Sequence, residues 1–365
     1  ALKFKDLFEQ PPLLVRSPGR INLIGEHTDY NQGLVMPAAI DKEIRLGVAA
    51  NNEKNIRIHS LDYSESLEIS LAVLLPQNQK AWANFILGVV IELEELGHRV
   101  AGFDCAFEGD IPLGAGLSSS AALECAAVFG LNELFELGLS RLEMVQIAQK
   151  AENNFVGVQC GMMDQFASMF GRKDQVIRLD CSSLDYEYAP LDLQDYQIVL
   201  LDSQVKHSLA DSEYNTRRAE CEAAVHFLSS TYPQIQSLRD VTPEMLREQE
   251  SQMNAHLFKR ADYIVSENQR VRQTATALQE GNLKKVGAYL YESHQGLSEK
   301  YQVSCPELDF LVAQSRHYEE VLGARMMGGG FGGCTLNLVK TSEIEKYTRE
   351  MARIYHNHFQ IALKV

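Results

Sequence analysis

The stretch Ser119–Phe135 sets the tightest limit on how this chain folds. Ala121, Ala122, Leu123, Cys125, Ala126, Ala127, Val128, Phe129 and Leu131 leave almost no polar stripe, so a helix here has no face to give to water. Such a helix belongs at the centre of a domain, covered on all sides. It is preceded by a glycine-rich turn, in the motif PLGAGLSSSAALECA at 112–126. Glycines let backbone N–H groups approach an anion closely, and a helix N-terminus adds roughly half a positive charge and several unpaired donors. The combination reads as a phosphate cradle, to which Ser118, Ser119 and Ser120 add hydroxyls, one of them able to ligate Mg²⁺. A serine cap on a glycine turn is the plain structural alternative. No G-x-x-x-x-G-K-[ST] occurs, so the cradle is not a common P-loop.

Helices flank this segment. Trp82, Phe85, Ile86, Val89, Val90, Leu93 and Leu96 recur at helical spacing up to a stop at Gly97. Ser140 and Glu143 form a capping box that opens another helix, with its last turn near Glu152 and Asn153. Further on, residues 197–203 read as a buried strand, 217–230 as a helix, and Leu257 to Leu278 as a long helix stopped by Gly281. After Gly333, Cys334, Leu336 and Leu338 alternate with Thr335 and Asn337, the pattern of a half-buried strand. Helices and strands mix in both halves, and 365 residues at about 150 per domain imply two domains. They are drawn at 1–180 and 181–365.

Three further clusters carry chemistry. RSPGRINLIGEHTDYNQG at 16–33 gathers Arg20, Glu26, His27 and Asp29 on a strand, loop, strand pattern. Carboxylates that accept and His and Arg groups that donate suit a polyhydroxylated ligand, while a solvated loop with a surface ion pair is the alternative. AENNFVGVQCGMMDQFASMFG at 151–171 holds Glu152 and Asp164, the latter in the first turn of a short helix, where either could be only a helix-end charge. MMGGGFGGCTLNLV at 326–339 contains G-x-G-x-x-G but leads into a strand, whereas a dinucleotide fingerprint opens a helix, so that reading fails. Its five glycines mark a backbone that bends sharply or approaches something closely.

Charge excludes other classes. Lys and Arg number 34 against 49 Asp and Glu, a net charge of −15, which disfavours nucleic acid and anionic membrane as partners. The seven cysteines, at 105, 125, 160, 181, 221, 305 and 334, show no close pair and read as free thiols of a reducing, cytoplasmic setting. The charged N-terminal residues do not resemble a signal peptide, and no apolar run is long enough for a membrane span.

In this order, the motifs at 16–33, 112–126 and 328–339 resemble those of the GHMP kinases, the first being similar to the galactokinase signature. The likeness extends to CGMMDQF at 160–166, VKHSLADSEYNTRR at 205–218 and VSCPELD at 303–309. The resemblance implies a two-lobed α+β and α/β fold. Its N-terminal lobe would be similar to the second domain of ribosomal protein S5, its C-terminal lobe ferredoxin-like, with the active site between them. It implies ATP-dependent phosphorylation of α-D-galactose at the anomeric C1 hydroxyl, the entry step of galactose catabolism. Asp164 corresponds to the catalytic base and Arg20 to its partner. Sugar contacts correspond to Arg20, Glu26, His27, Asp29, Gly161, Asp164 and Tyr214. Nucleotide contacts correspond to Trp82 and to Gly114, Ala115, Gly116, Leu117, Ser118, Ser119 and Ser120, with Mg²⁺ on Ser120 and Glu152. Lys206 stands where some members carry arginine. The expected partners are galactose and MgATP, and the expected state is a monomer. Two other readings stay open: a C1 kinase for N-acetylgalactosamine or a related sugar, and a non-catalytic galactose and ATP sensor.

Overall fold

The computed structural model describes residues 2–112, 114–206 and 210–365. Leu113 of the glycine–serine loop and residues 207–209 of the motif at 205–218 lie outside the described residues. The chain divides into two compact units, one comprising Ala1–Arg20, Ala39–Pro112 and Leu117–Gly171, the other Ile21–Ala38, Leu113–Gly116 and Arg172–Val365. The sequence offered a single cut at 180/181, yet 21–38 and 113–116 group with the later residues. The cause is visible in their bonds. Gly25 N donates to Glu267 Oε1 at 3.0 Å and Leu34 N to Asn268 Oδ1 at 2.8 Å. A Cβ on Gly116 would sit 3.0 Å from the Met327 carbonyl oxygen.

The first unit carries a five-stranded sheet. Strands β1 (Leu13–Asn22), β2 (Pro37–Ala50), β3 (Asn55–Ser60), β4 (Glu65–Ser70) and β5 (Phe103–Gly109) lie in the order β1-β2-β5-β3-β4. β3 and β5 run parallel, while β2–β5 and β3–β4 are antiparallel. Helices α1 (Asn84–Glu95), α2 (Ser119–Phe135), α3 (Arg141–Lys150) and α4 (Met163–Phe170) accompany it. α2 is the buried helix that its composition demands, packed against α1, α3 and α4. Gly130 brings it onto the sheet, since a Cβ there would stand 3.1 Å from Val48 Cγ1. The capping box of α3 forms as expected, with Glu143 N donating to Ser140 Oγ at 3.3 Å and Ser140 N to Glu143 Oε2 at 2.8 Å. Beyond Lys150 the chain continues as a π-helical turn, Ala151–Val156, closed by left-handed Gly157, whose N–H reaches back to Glu152 O at 2.9 Å. Such wide turns cluster at functional sites.

The second unit holds two three-stranded antiparallel sheets. In one, β6 (Gln175–Asp180) lies between β7 (Tyr186–Pro190) and the short strand Leu34–Val35. In the other, β8 (Tyr196–Lys206), β9 (Val321–Met326) and β10 (Gly332–Lys340) lie in the order β9-β10-β8. Helices α5 (Ala210–Ser229), α6 (Ala255–Gln279), α7 (Leu283–Gln295), α8 (Pro306–Ser315) and α9 (Ile344–Phe359) accompany them. β10 corrects the half-buried expectation, because Thr335 and Asn337 are as buried as the leucines. Their polar atoms are satisfied inside: Asn337 Nδ2 donates to Thr335 Oγ1 at 3.0 Å, and Tyr347 OH donates to Asn337 Oδ1 at 2.9 Å. α7 also runs on into a π turn, Gly296–Tyr301, closed by left-handed Gln302. Among the described residues no helix is long and apolar enough to cross a membrane, and all seven cysteines are free.

Candidate active site

In the first unit the chemistry gathers where β1, the start of α2, the π turn and α4 meet. Arg20, near the end of β1, is buried and points its fork at Asp164: Nε donates to Oδ1 at 2.8 Å and Nη2 to Oδ2 at 2.7 Å. A two-bond fork fixes a carboxylate in plane as well as in position. Beside it, Gly19 leaves room for the Leu117 carbonyl, to which Arg20 N donates at 3.2 Å. That contact brings the glycine–serine loop alongside the pair. Ser118 takes a left-handed conformation with φ 59° and makes no side-chain cap on α2. Its hydroxyl donates instead to Asp164 Oδ2, so the simple capping alternative does not hold.

Glu152, placed by the π turn, is buried rather than solvated. Its carboxylate accepts from Gln165 Nε2 at 2.8 Å, from Cys160 Sγ at 3.3 Å and from the Ser120 hydroxyl. Gln165 Nε2 also donates to Glu124 Oε2 at 3.1 Å. Burial raises the Glu152 carboxyl above its ordinary pKa and the Asp164 charge adds to the rise, against the hydrogen bonds from Cys160, Ser120 and Gln165. Glu124 is pushed well up, by burial first and by Glu152 second. Crowded buried carboxylates fit a hard divalent ion, which takes oxygen ligands. No group of three or more His, Cys, Asp or Glu able to hold a metal occurs among the described residues. Ser120 and Glu152 therefore offer two oxygens, which suits an ion such as Mg²⁺ that keeps water and phosphate oxygens for the rest. Trp82 is half-exposed in a short turn before α1, its Nε1 donating to Glu65 Oε2 at 2.9 Å and its ring tilted against Phe107. Gly114 and Gly116 have φ of 72° and 74°, Ala115 and Leu117 are buried between and beside them, and Ser119 is half-buried. Gly161 is buried two residues ahead of α4.

The second unit holds Glu26, His27, Asp29 and Tyr214. Thr28 pins their loop by donating to the carbonyls of Gly25 at 2.9 Å and Leu34 at 2.7 Å. Glu26 is almost fully buried, and its Oε1 accepts from Arg325 Nη1 at 3.0 Å, Arg325 Nη2 at 3.1 Å and Gly328 N at 2.8 Å. The glycine run is thereby tied to the signature loop. Gly330 needs its missing side chain, since with φ 87° a Cβ would fall 2.2 Å from Val303 O. His27 has φ 63° and is buried. Burial pulls its pKa down to about 3, with the Arg217 charge in support and the Gly329 backbone opposed, so the ring is neutral at neutral pH. The Tyr214 ring lies 5.3 Å from that of His27 and covers Gly329, where a Cβ would be 3.3 Å from Tyr214 Cδ2. Asp29 is buried in the first turn of the short helix Asp29–Asn31.

Comparison with known proteins then decides the family. The model for the galactokinase galactose-binding signature matches residues 2–50, that for the GHMP kinases N terminal domain 84–172, and that for GHMP kinases C terminal 274–357. A galactokinase of Thermosipho africanus is 42% identical over 347 residues, 95% of each chain, and one of Thermotoga maritima is 43% identical over 349 residues, 96% of this chain and 95% of the other. The chain belongs to the galactokinase family. The crystal structure of Lactococcus lactis galactokinase complexed with galactose superposes with a TM-score of 0.95 at 36% identity, covering all of this chain and 95% of that one. Methanococcus jannaschii mevalonate kinase, at 16% identity and a TM-score of 0.68 over 94% of this chain and 95% of that one, shares the GHMP kinase fold alone. For a galactokinase-family chain, sequence reasoning passed over several residues now seen in these clusters. Arg325 had a signal, an arginine inside an apolar strand just ahead of the glycine run. Glu124 had none beyond being polar in a helix read as apolar, Gln165 stood unremarked in CGMMDQF, and Tyr30, which bonds His27, was hidden inside the signature.

Proposed function

We propose that this galactokinase-family chain transfers the γ-phosphoryl group of ATP to the C1 hydroxyl of α-D-galactose, releasing galactose 1-phosphate and ADP. The observation that carries the reading is Asp164, held by the Arg20 fork and by Ser118 at the head of the glycine–serine loop. Asp164 accepts the proton of the C1 hydroxyl as its oxygen bonds to the γ-phosphorus and the bond to the bridging ADP oxygen breaks. Arg20 keeps the carboxylate aimed and brings positive charge to the transferring group. The N–H groups at Gly114–Ser120 cradle the phosphates, with Trp82 on the adenine side. Glu26, His27, Asp29, Gly161 and Tyr214 are read as holding the sugar hydroxyls. Mg²⁺, held by Ser120 and Glu152 with phosphate oxygens, would supply charge neutralisation. Phosphoryl transfer needs little covalent chemistry from the protein, so positioning and charge do most of the work, with about 10²–10⁴-fold from the base.

The test is ATP consumption over galactose, N-acetylgalactosamine, glucose, arabinose and mevalonate. Turnover is expected with galactose. Turnover with N-acetylgalactosamine alone transfers the reading to that sugar, and a thermal shift by galactose without any turnover makes the chain a sensor.

A further inference from the structure

We infer that Tyr30 and Tyr301 are positioning residues that lock His27 as its Nε2–H tautomer, so that it meets the sugar as a hydrogen-bond donor. The inference rests on the sugar-contact reading of His27.

The groups form one chain inside the second unit. Tyr30 OH lies 2.7 Å from His27 Nδ1 and 2.7 Å from Tyr301 OH, and Tyr301 OH lies 3.2 Å from Cys221 Sγ. Every member is neutral near pH 7. His27 titrates near 3, Cys221 is raised to about 11, and burial lifts both tyrosines well above their ordinary range. A chain of neutral groups with one proton each has two consistent directions. In one, protons point from the thiol through Tyr301 and Tyr30 to Nδ1; in the other they point from Nδ1–H to the sulfur.

Acceptor strength separates them. An imidazole nitrogen is a good acceptor and a thiol sulfur a weak one, so the chain should end on nitrogen. The Tyr301 hydroxyl favours the ionised form of Tyr30, while Tyr30 holds the proton on Tyr301, which is the sense of Tyr301 donating to Tyr30 and leaves the Tyr30 proton for Nδ1. The nearby polar groups are already engaged: Tyr263 OH donates to Glu26 O at 3.0 Å, and Arg217 Nε donates to the Tyr301 backbone carbonyl at 2.9 Å. With Nδ1 filled as an acceptor, the proton of the neutral ring sits on Nε2. A donor fixed in this way discriminates, because it rewards an oxygen at one place on the sugar and leaves nothing to accept a proton there.

The test uses the whole chain labelled with ¹⁵N at histidine, with His27 assigned by the signal lost in His27→Gln. The wild type is expected to show a protonated Nε2 and a bare Nδ1, with Nε2 shifting when galactose is added. Tyr30→Phe removes the donor to Nδ1. It is expected to mix the tautomers and raise KM for galactose about tenfold with kcat within about twofold, the range of one net hydrogen bond. Tyr301→Phe, one step further along, is expected to do the same more weakly, about threefold, and serves if Tyr30→Phe does not fold. A protonated Nδ1 in the wild type, or a wild-type nitrogen pattern in both variants, overturns the inference. An unchanged galactose KM in His27→Gln removes the sugar contact and with it the donor role, while the tautomer measured without sugar still decides the lock.

Discussion

Arg325 is the residue whose loss should be felt furthest from its own position. It has no exposed surface and gives its guanidinium to Glu26, to the Leu23 carbonyl at 2.9 Å, to the Met326 carbonyl at 2.6 Å and to the Asn22 carbonyl. Arg325→Met keeps much of the apolar stem and removes every one of these donors. Glu26, 2% exposed, would then be a buried carboxylate with, among the described residues, only the Gly328 N–H in support. Breaking a buried pair from one side costs about 3–5 kcal/mol, and orphaned carbonyls add to that. With about 2.1 cal/mol/K of unfolding entropy per residue over 365 residues, a loss of about 4 kcal/mol lowers the thermal midpoint by about 5 °C. The pairing term is isolated by a cycle with Glu26→Gln. Because the double variant no longer buries a lone charge, its loss should fall short of the sum of the singles by at least about 1 kcal/mol. Differential scanning calorimetry of the four proteins measures it. Additive losses, or an Arg325→Met midpoint within about 1 °C of the wild type, would refute the claim that this pair anchors the glycine run.

Other outcomes follow from the same geometry. Asp164→Asn keeps one acceptor for Arg20 but no base, so turnover should fall at least about 100-fold while galactose still raises the melting temperature; a residual rate above about a tenth removes Asp164 as base. Ser120→Ala should raise the Mg²⁺ concentration that half-saturates activity, and an unchanged Mg²⁺ titration discards the metal assignment. His27 gives a pH signature. It titrates near 3 when folded and near 6.5 when unfolded, so its neutral form contributes stability that is full above about pH 6.5 and lost as pH falls toward 3. Between pH 7 and pH 5 the loss is about 2 kcal/mol. The raised carboxyls of Glu124 and Glu152 act in the opposite sense, so the comparison must be with His27→Gln, whose urea midpoint should fall less over this interval. Parallel curves would refute a neutral buried His27.

Much of this was legible in the chain. Composition alone demanded that α2 be central, and the Ser140–Glu143 box and Gly281 marked helix ends that stand where expected. The residues of the signature and of the glycine–serine loop were nameable because their types are unusual together. What the pattern could not give was direction. Ser118 was read as a hydroxyl of the phosphate cradle with a serine cap as the alternative, and only its left-handed backbone shows the hydroxyl turned to Asp164. Thr335 and Asn337 looked solvated because a periodicity of two cannot distinguish water from a satisfied polar interior. Glu124 was invisible for the reverse reason, a carboxyl lodged among alanines with one amide as its partner.

Glu152 and Tyr301 stand in the two π turns, each of which extends an ordinary helix by one wide loop of backbone and ends on a left-handed residue. Their placement is thus a matter of counting. Removing a single residue between 151 and 156, or between 296 and 301, would let the helix close in its usual step and rotate the residues beyond the deletion by about 100°. Tyr301, the last residue of its turn, would rotate away from Tyr30, and beyond Glu152 the Cys160 thiol that bonds it would be displaced, with composition and hydropathy almost untouched. Alignments that slide a one-residue gap freely along these helices would therefore treat as neutral the change that the two sites tolerate least.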